Sequence, residues 1–460
     1  MKIPEWLPHT HHPAGSEVDA RERLIGSLLR PVVRFLHIEA AGGGVLLTCT
    51  VFALVIANSP WADQFAEIWE TKVGFTIGQF TLHKSLLHWI NDGLMTVFFF
   101  VVGLEIKREI VFGELGELRK AALPAAAALG GMLVPAAVYL LMQHSGPGAK
   151  GWGISMATDI AFVVGFLTLL GPRVPLGLKI LLLTLAIVDD IGAILVIAIA
   201  YATDTSVAFL VLGFAGFAFV YLLARIGVRS IPVYVVCGAA IWFAIYKSGI
   251  HPTVAGVILG LLTPAKPWFA KPWFAKRSLM TVAEGVAAHL RADRDGDAKR
   301  HHNEAVQLFA GTATESISPL NRLEAALHPW VAFGIMPLFA VANAGVKVEF
   351  AALTEPIALA VAAALFIGKP LGIVVFSWIA VVSGFARLPT GVTWKALLGA
   401  GFLAGIGFTM SLFIAGLALE GDPLRAGKIG TLLGSALSAI LGLGLLSWFL
   451  PTRSKVAKAN

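Results

Sequence analysis

The sequence predicts an all-α polytopic membrane protein of about twelve transmembrane helices, and three observations lead there. Of its 460 residues 57% are hydrophobic and only 14% charged, with a mean hydropathy of +0.79, too little polar surface to cover a soluble globule of this size. Apolar runs of roughly 20 residues, the length that crosses a ~30 Å hydrocarbon core, recur along almost the whole chain. Basic residues gather in alternate loops between these runs, which is a topological pattern and not the single basic stripe of a nucleic-acid surface.

The spans fall at 39–58, 86–105, 121–143, 152–170, 178–201, 206–225, 231–248, 251–264, 328–346, 355–384, 394–419 and 427–450. The run at 251–264 is short, either half-buried or crossing, and 355–384 is long enough for tilt or for a kink at Pro370. Arg21, Arg23, Arg30 and Arg34 precede the first span; Lys107, Arg108, Arg119 and Lys120 follow the second; Arg173 and Lys179 follow the fourth; Arg225 and Arg229 follow the sixth. The positive-inside rule puts these in the cytoplasm, together with the 265–327 loop, Arg387, Lys395 and the tail holding Arg453, Lys455 and Lys458. The expected organisation is a cytoplasmic segment 1–38, a transmembrane domain 39–450 and a cytoplasmic tail 451–460, with both termini inside.

The polar stretch before Ile38 lacks the apolar h-region of a cleavable signal peptide, so the first span is expected to be retained. Cys49 and Cys237 both lie inside apolar runs and read as small buried hydrophobes, not as a disulfide framework. The first outward loop contains FAEIWETKVGFTIGQFTLH, which is either an irregular loop or a small β-hairpin with Gly74 and Gly78 as breakers. A lone hairpin is marginal in water, so such a hairpin calls for a neighbour, and a homodimer through the 65–83 loop is one way to supply it. The 265–327 loop carries PWFAKPWFAK and then RADRDGDAKRHHNE, without periodicity. It is expected to be partly disordered, or to rest Trp268, Phe269, Trp273 and Phe274 on the anionic inner leaflet. His301 and His302 have no accompanying pattern of zinc ligands and read as solvated.

Asp189 and Asp190 sit in the middle of LGLKILLLTLAIVDDIGAILVIAIAY, where unpaired charge costs several kcal/mol, so the pair is a candidate ion or proton site. Consecutive helical residues point about 100° apart, so each carboxylate needs its own partner. One can meet a basic residue while the other lines a watery cavity. Two adjacent like charges resist joint ionisation, which suits a site that exchanges protons. A third intramembrane acid, Asp159, follows Thr158 in GWGISMATDIAFVVGFLTLL. Lys369, in ALFIGKPLGIVVF, is the only basic residue at the centre of any span, and an Asp–Lys pair within the bundle is the economical arrangement.

The span GFLAGIGFTMSLFIAGLAL places Gly401, Gly405 and Gly407 before Thr409 and Ser411, a composition that permits a broken helix where the backbone lines a cavity. Its counterpart is the Thr158–Asp159 region, and two interrupted spans in corresponding parts of two halves point to the substrate site of an inverted-repeat transporter. Asp159 would offset helix N-termini there and Lys369 helix C-termini.

The motifs WINDGLMTVFFFVVGLEIKREI, ATDIAF, LAIVDDIGAI, LHPWVAFGIMPLFAVANAGV, IGKPLGI and GIGFTMSLFI follow one another over roughly 38–450, excluding most of the 265–320 loop, and in content and order resemble the NhaA family of Na+/H+ antiporters. The resemblance implies an inverted-topology repeat with two broken, crossing helices and a place in the bacterial inner membrane. By the same resemblance Asp190 is the more central cation ligand and Asp189 the partner of Lys369. Thr158 and Asp159 match the crossing of the first broken helix. Glu105, Arg108 and Glu109, with Glu324, match inward-funnel residues linked to pH response, and Asp92 and His251 match further positions of that kind. Asn321 and Ala325 depart from the family pattern, which has a basic residue before Arg322 and a histidine after Glu324, and the loop before them is longer, so the pH set point is open.

Plainer roles stand beside these. Lys369 is also a structural salt bridge; Asp159 is a helix-end counter-charge as readily as an ion ligand; His251 is a solvated end residue as readily as a pH sensor; Glu105, Arg108 and Glu109 have the spacing of interfacial i,i+3 and i,i+4 pairs. The expected function is secondary, electrogenic exchange of cytoplasmic Na+ or Li+ for protons at Asp189 and Asp190, with no cofactor and no enzymatic step; carboxylate and carbonyl oxygens suit a hard cation. A cation channel would place such acids in a symmetric ring, whereas single acids and a lysine stand here at broken helices; an intramembrane hydrolase would need HExxH, which the sequence lacks, or an acid pair split across two helices, whereas Asp189 and Asp190 adjoin on one.

Overall fold

The protein is seen in a computed structural model that describes residues 41–450, apart from 78–79, 203–204, 229 and 267–317. The expectations for 1–38, for 451–460, for the PWFAK repeat and for most of the 265–327 loop lie outside the described residues.

Helix α1 (Ala41–Ala57) turns by 115° into α2 (Ala62–Glu70). The outward loop then forms a hairpin, the second of the two readings its sequence allowed. Strands β1 (Lys72–Ile77) and β2 (Phe80–Ser85) pair antiparallel, with Lys72 opposite Ser85 and Ile77 opposite Phe80. The indole N–H of Trp89 donates to Val73 O at 2.9 Å and ties β1 to the next span.

That span opens with a wide π turn at Trp89–Leu94 and continues as α3 (Met95–Phe112). It runs past the expected end at 105, so the charged GLEIKRE motif lies on its last helical turns. After it come α4 (Leu118–Met142), a 3-10 run at Ala149–Ser155, and α5 (Ile160–Leu170). Next are α6 (Leu176–Ala200), α7 (Val207–Ile226), α8 (Ile231–Ser248) and α9 (Thr253–Leu262). The last part holds α10 (Pro319–Ala344), α11 (Pro356–Val382), α12 (Trp394–Ala404), α13 (Phe408–Ala418) and α14 (Gly421–Phe449).

Among the described residues, eight helices are long and apolar enough to cross a membrane, and ten spans result if each bent pair counts as one. The pair α12–α13 is bent by 46° and lies at the expected broken span. The ten residues of α9 are too few for a full crossing, as the short run at 251–264 foreshadowed. Helix α3 carries Glu105, Lys107, Arg108 and Glu109 near its end, which lowers its hydropathy.

Helix α11 is irregular ahead of Pro370, and the irregularity has a local cause. Pro370 has no N–H to donate and its ring crowds the preceding turn, and the helix widens into a π turn at Ala364–Gly368 just ahead of Lys369 and Pro370. This lodges Lys369 in the bundle centre, where it is as fully buried as Phe99 and Phe339.

Helix α4 packs against both α6 and α11. Its contact with α11 is backbone on backbone: a Cβ added to Gly130 would come within 2.1 Å of Gly372 O, and one added to Gly372 within 2.0 Å of Gly130 O. Small residues permit this approach, and no larger residue fits. Against α6 the contact is of another kind, because a Cβ on Gly192 would meet the thioether of Met132 at 2.1 Å.

Candidate functional site

Two stretches of unwound backbone meet inside the bundle. Ala157 to Asp159 are non-helical between the 3-10 run and α5, and Gly405 to Gly407 separate α12 from α13. The Asp159 amide donates to Ile406 O at 2.8 Å, so each stretch satisfies part of the other's exposed backbone.

Asp159 serves as the cap of two helices. Its Oδ1 accepts from Phe162 N at 3.4 Å, at the start of α5; its Oδ2 accepts from Thr409 N at 3.0 Å, at the start of α13, and also from the Thr409 hydroxyl. Two helix N-termini therefore converge on one carboxylate, the arrangement their dipoles favour. Thr409, on the other unwound segment, is its hydrogen-bond partner.

Lys369 Nζ lies 3.0 Å from Asp189 Oδ2, and both side chains are completely buried. The ammonium also donates to Met156 O, at the carbonyl end of the 3-10 run. The Thr158 hydroxyl stands 2.6 Å from Asp189 Oδ2 and 3.0 Å from Ala404 O. A hydroxyl has a single hydrogen, so Thr158 donates to one of these at a time: to the acid of α6 or to the end of α12.

Asp190 points elsewhere, as its neighbouring place in the helix requires. It is 2% exposed, and its Oδ1 is buried without a hydrogen-bond partner. It lines a narrow cavity of about 50 Å³ together with Glu105, Thr158, Asp159, His328 and Thr409. The space is enough for a water molecule or a small ion. Asp189 Oδ1 is likewise buried without a hydrogen-bond partner. The chemistry on offer is oxygen ligation of a hard monovalent cation, with carboxylates that also accept protons.

The other residues singled out by sequence fall into two further groups. On α3, Arg108 reaches across to an ion pair with Glu324 of α10, a longer-range contact than i,i+4 spacing suggested. Glu109 Oε1 accepts from Glu114 N at 2.9 Å and from the Thr184 hydroxyl at 3.3 Å. Glu105, grouped by motif with these two, instead lines the Asp190 cavity.

Asp92 and His251 form the second group. His251 Nε2 lies 3.5 Å from Asp92 Oδ1, His88 Nε2 lies 3.0 Å from Asp92 Oδ2, and Trp242 Nε1 donates to Thr96 Oγ1 at 3.0 Å beside them. His251 is thus held between Asp92 and Thr253, with its Nδ1 2.8 Å from the Thr253 hydroxyl.

His88 and His328 were not singled out from the sequence. His88 stands four residues before Asp92, a spacing that signals a same-face pair on a helix. His328 belongs to the quoted LHPW motif, but only the fold reveals that it lines the same cavity as Asp190.

A family model described as Na+/H+ antiporter 1 matches residues 33–446. A protein of Rhodopirellula baltica named Na(+)/H(+) antiporter NhaA is 53% identical over 423 residues, covering 92% of this chain and 95% of that one. Na(+)/H(+) antiporter NhaA 1 of Acidiphilium cryptum is 48% identical over 436 residues, or 95% and 96% of the two chains. Na(+)/H(+) antiporter NhaA of Rhizobium meliloti is 50% identical over 424 residues, or 91% and 95%.

Proposed function

Because this chain belongs to the Na+/H+ antiporter 1 family, we propose that it exchanges cytoplasmic Na+ or Li+ for protons at Asp189 and Asp190. One observation carries the reading: a fully buried Asp189–Lys369 pair stands beside an Asp190 whose Oδ1 has no hydrogen-bond partner and which faces a cavity at the helix crossing. A buried carboxylate oxygen left unbonded is costly, and a cation or a proton satisfies it.

In the cation-loaded state Asp190 balances the ion and Lys369 balances Asp189. Thr158, which alternates between Asp189 and Ala404, adjusts to the occupancy of the site. In the proton-loaded state each carboxylate carries a proton. With Lys369 protonated throughout, two protons replace one monovalent cation and the site gains one unit of charge, so the exchange is electrogenic and the proton gradient drives it. The buried ion pair on the route supports obligate exchange over free conduction.

The Arg108–Glu324 pair, Glu105, Glu109 and the Asp92–His251 contact support pH regulation at these residues. In the same reading α3 is a further crossing and α9 a short helix embedded part-way in the membrane, which brings the membrane helices to twelve in an inverted repeat with the 149–170 segment and α12–α13 as the broken pair. The protein then lies in the inner membrane with both termini in the cytoplasm. The β1–β2 hairpin, being marginal alone, serves a homodimer.

The test is antiport in everted vesicles with Na+, Li+ and K+ added in turn across pH. Na+- or Li+-dependent collapse of a pH gradient is expected from the intact protein, and its absence in Asp190→Asn. Normal exchange in Asp190→Asn would overturn the reading.

A further inference from the structure

A second, much larger cavity lies away from the crossing. About 950 Å³ in volume, it opens between the α3–α4 connection, the first turns of α4 and of α6, and the α11–α12 connection. That volume stands at the upper end of the roughly 300–1,000 Å³ of small-molecule pockets and far exceeds what a single inorganic ion needs.

Its walls are amphiphilic. Arg119, Lys120 and Arg387 supply three cations at the rim against one acid, Glu114, while Ile180, Leu181 and Phe385 are among its apolar lining. Lys120 pairs with Glu117 at 3.0 Å. Arg119 and Arg387, both exposed, make no ion pair or hydrogen bond among the described residues. Phe385 is 78% exposed beside them. The basic loops mark this as the inward face.

We propose that this cavity binds an anionic phospholipid of the inner leaflet, with Arg119 and Arg387 on the headgroup phosphate and Phe385, Ile180 and Leu181 against the start of the acyl chains. Charge complementarity and the apolar wall choose that occupant: basic pockets between transmembrane helices on the cytoplasmic side suit acidic headgroups. A soluble anion would leave the apolar wall uncovered, and a cation would be repelled at the rim. The site joins the helix of Asp189 to the connection that follows the helix of Lys369, and Thr184 of its wall is hydrogen-bonded to Glu109.

The purified full chain in a neutral detergent is titrated with a fluorescent short-chain phosphatidylglycerol, and separately with phosphatidylcholine of the same chain length. Saturable binding of phosphatidylglycerol but not phosphatidylcholine is expected, weakened roughly 30-fold in Arg119→Gln/Arg387→Gln, the effect of losing two surface cations. Arg322→Gln, an exposed basic position outside the cavity, should bind as the intact protein does. Monodisperse elution of each variant verifies that it is folded. Three results would overturn the proposal: equal affinity in the double variant, full competition by glycerol phosphate at the lipid's own concentration, or binding that emerges only when residues 267–317 are excised, which would make that segment the occupant.

Discussion

Lys369 Nζ and Asp189 Oδ2 lie 3.0 Å apart with no solvent reaching either side chain. Two buried ions repay their desolvation only through each other and their hydrogen bonds, so removing one strands the other. Lys369→Ala should cost about 3–5 kcal/mol of stability, whereas Lys369→Met with Asp189→Leu should recover most of that loss. Thermal unfolding of detergent-solubilised protein reads both, and a double variant no more stable than the single one would contradict the pairing.

Asp190 has the opposite profile. Because its Oδ1 makes no hydrogen bond to protein, Asp190→Asn should leave the melting temperature unchanged or raise it while abolishing exchange. The comparison of melting curve and vesicle assay on one preparation separates a transport role from a structural one.

Asp159 should behave as a cap. Asp159→Ala deprives α5 and α13 of an acceptor and should cost about 2 kcal/mol, one cap each, while Asp159→Asn keeps one acceptor oxygen, enough for one of the two caps, and should lose about half of that. Equal losses would show that charge, not capping, is what matters there.

The Arg108–Glu324 pair joins α3 to α10 near their charged ends. Because Arg108 is about a third exposed, its coupling should be modest, about 1 kcal/mol in a double-mutant cycle. If the pair regulates transport, Arg108→Gln and Glu324→Gln should each move the pH profile of exchange, and the double variant should move it no further than the larger single shift.

Gly372→Ala should overpack the α4–α11 contact and cost about 1–3 kcal/mol or prevent folding, whereas Gly444→Ala, with nothing within 4 Å, should be neutral. Expression and melting temperature distinguish them.

The sequence announced this site where a residue is anomalous by itself. A carboxylate pair inside LAIVDDIGAI, a lysine in IGKPLGI and glycines in GIGFT are each expensive or permissive in an apolar span, and that can be read one position at a time. Which acid meets Lys369 is different, since it depends on the rotation of α6 against α11, and the pairing followed from family resemblance before geometry displayed it. Glu105 and His328 show the limit most clearly. Each lies beside charged residues in a stretch that reads as the membrane surface, and only tertiary packing brings both to the cavity that Asp190 lines. The wide turns ahead of α3 and within α10 and α11 were equally hidden, since spans that are apolar on most sides carry little phase to record an added residue.

The contacts of α4 differ in stiffness, and that difference sets which parts of the bundle travel together. Where Gly130 meets Gly372 the main chains abut, and neither can yield without breaking its own helix. Where Gly192 meets Met132 the intervening matter is an unbranched thioether with three rotatable bonds, which deforms at little cost. Helix α11 with its ammonium is therefore splinted to α4, while α6 with its two acids rides on a compliant bearing. Any cycle that parts Asp189 from Lys369 has its slack on the acidic side.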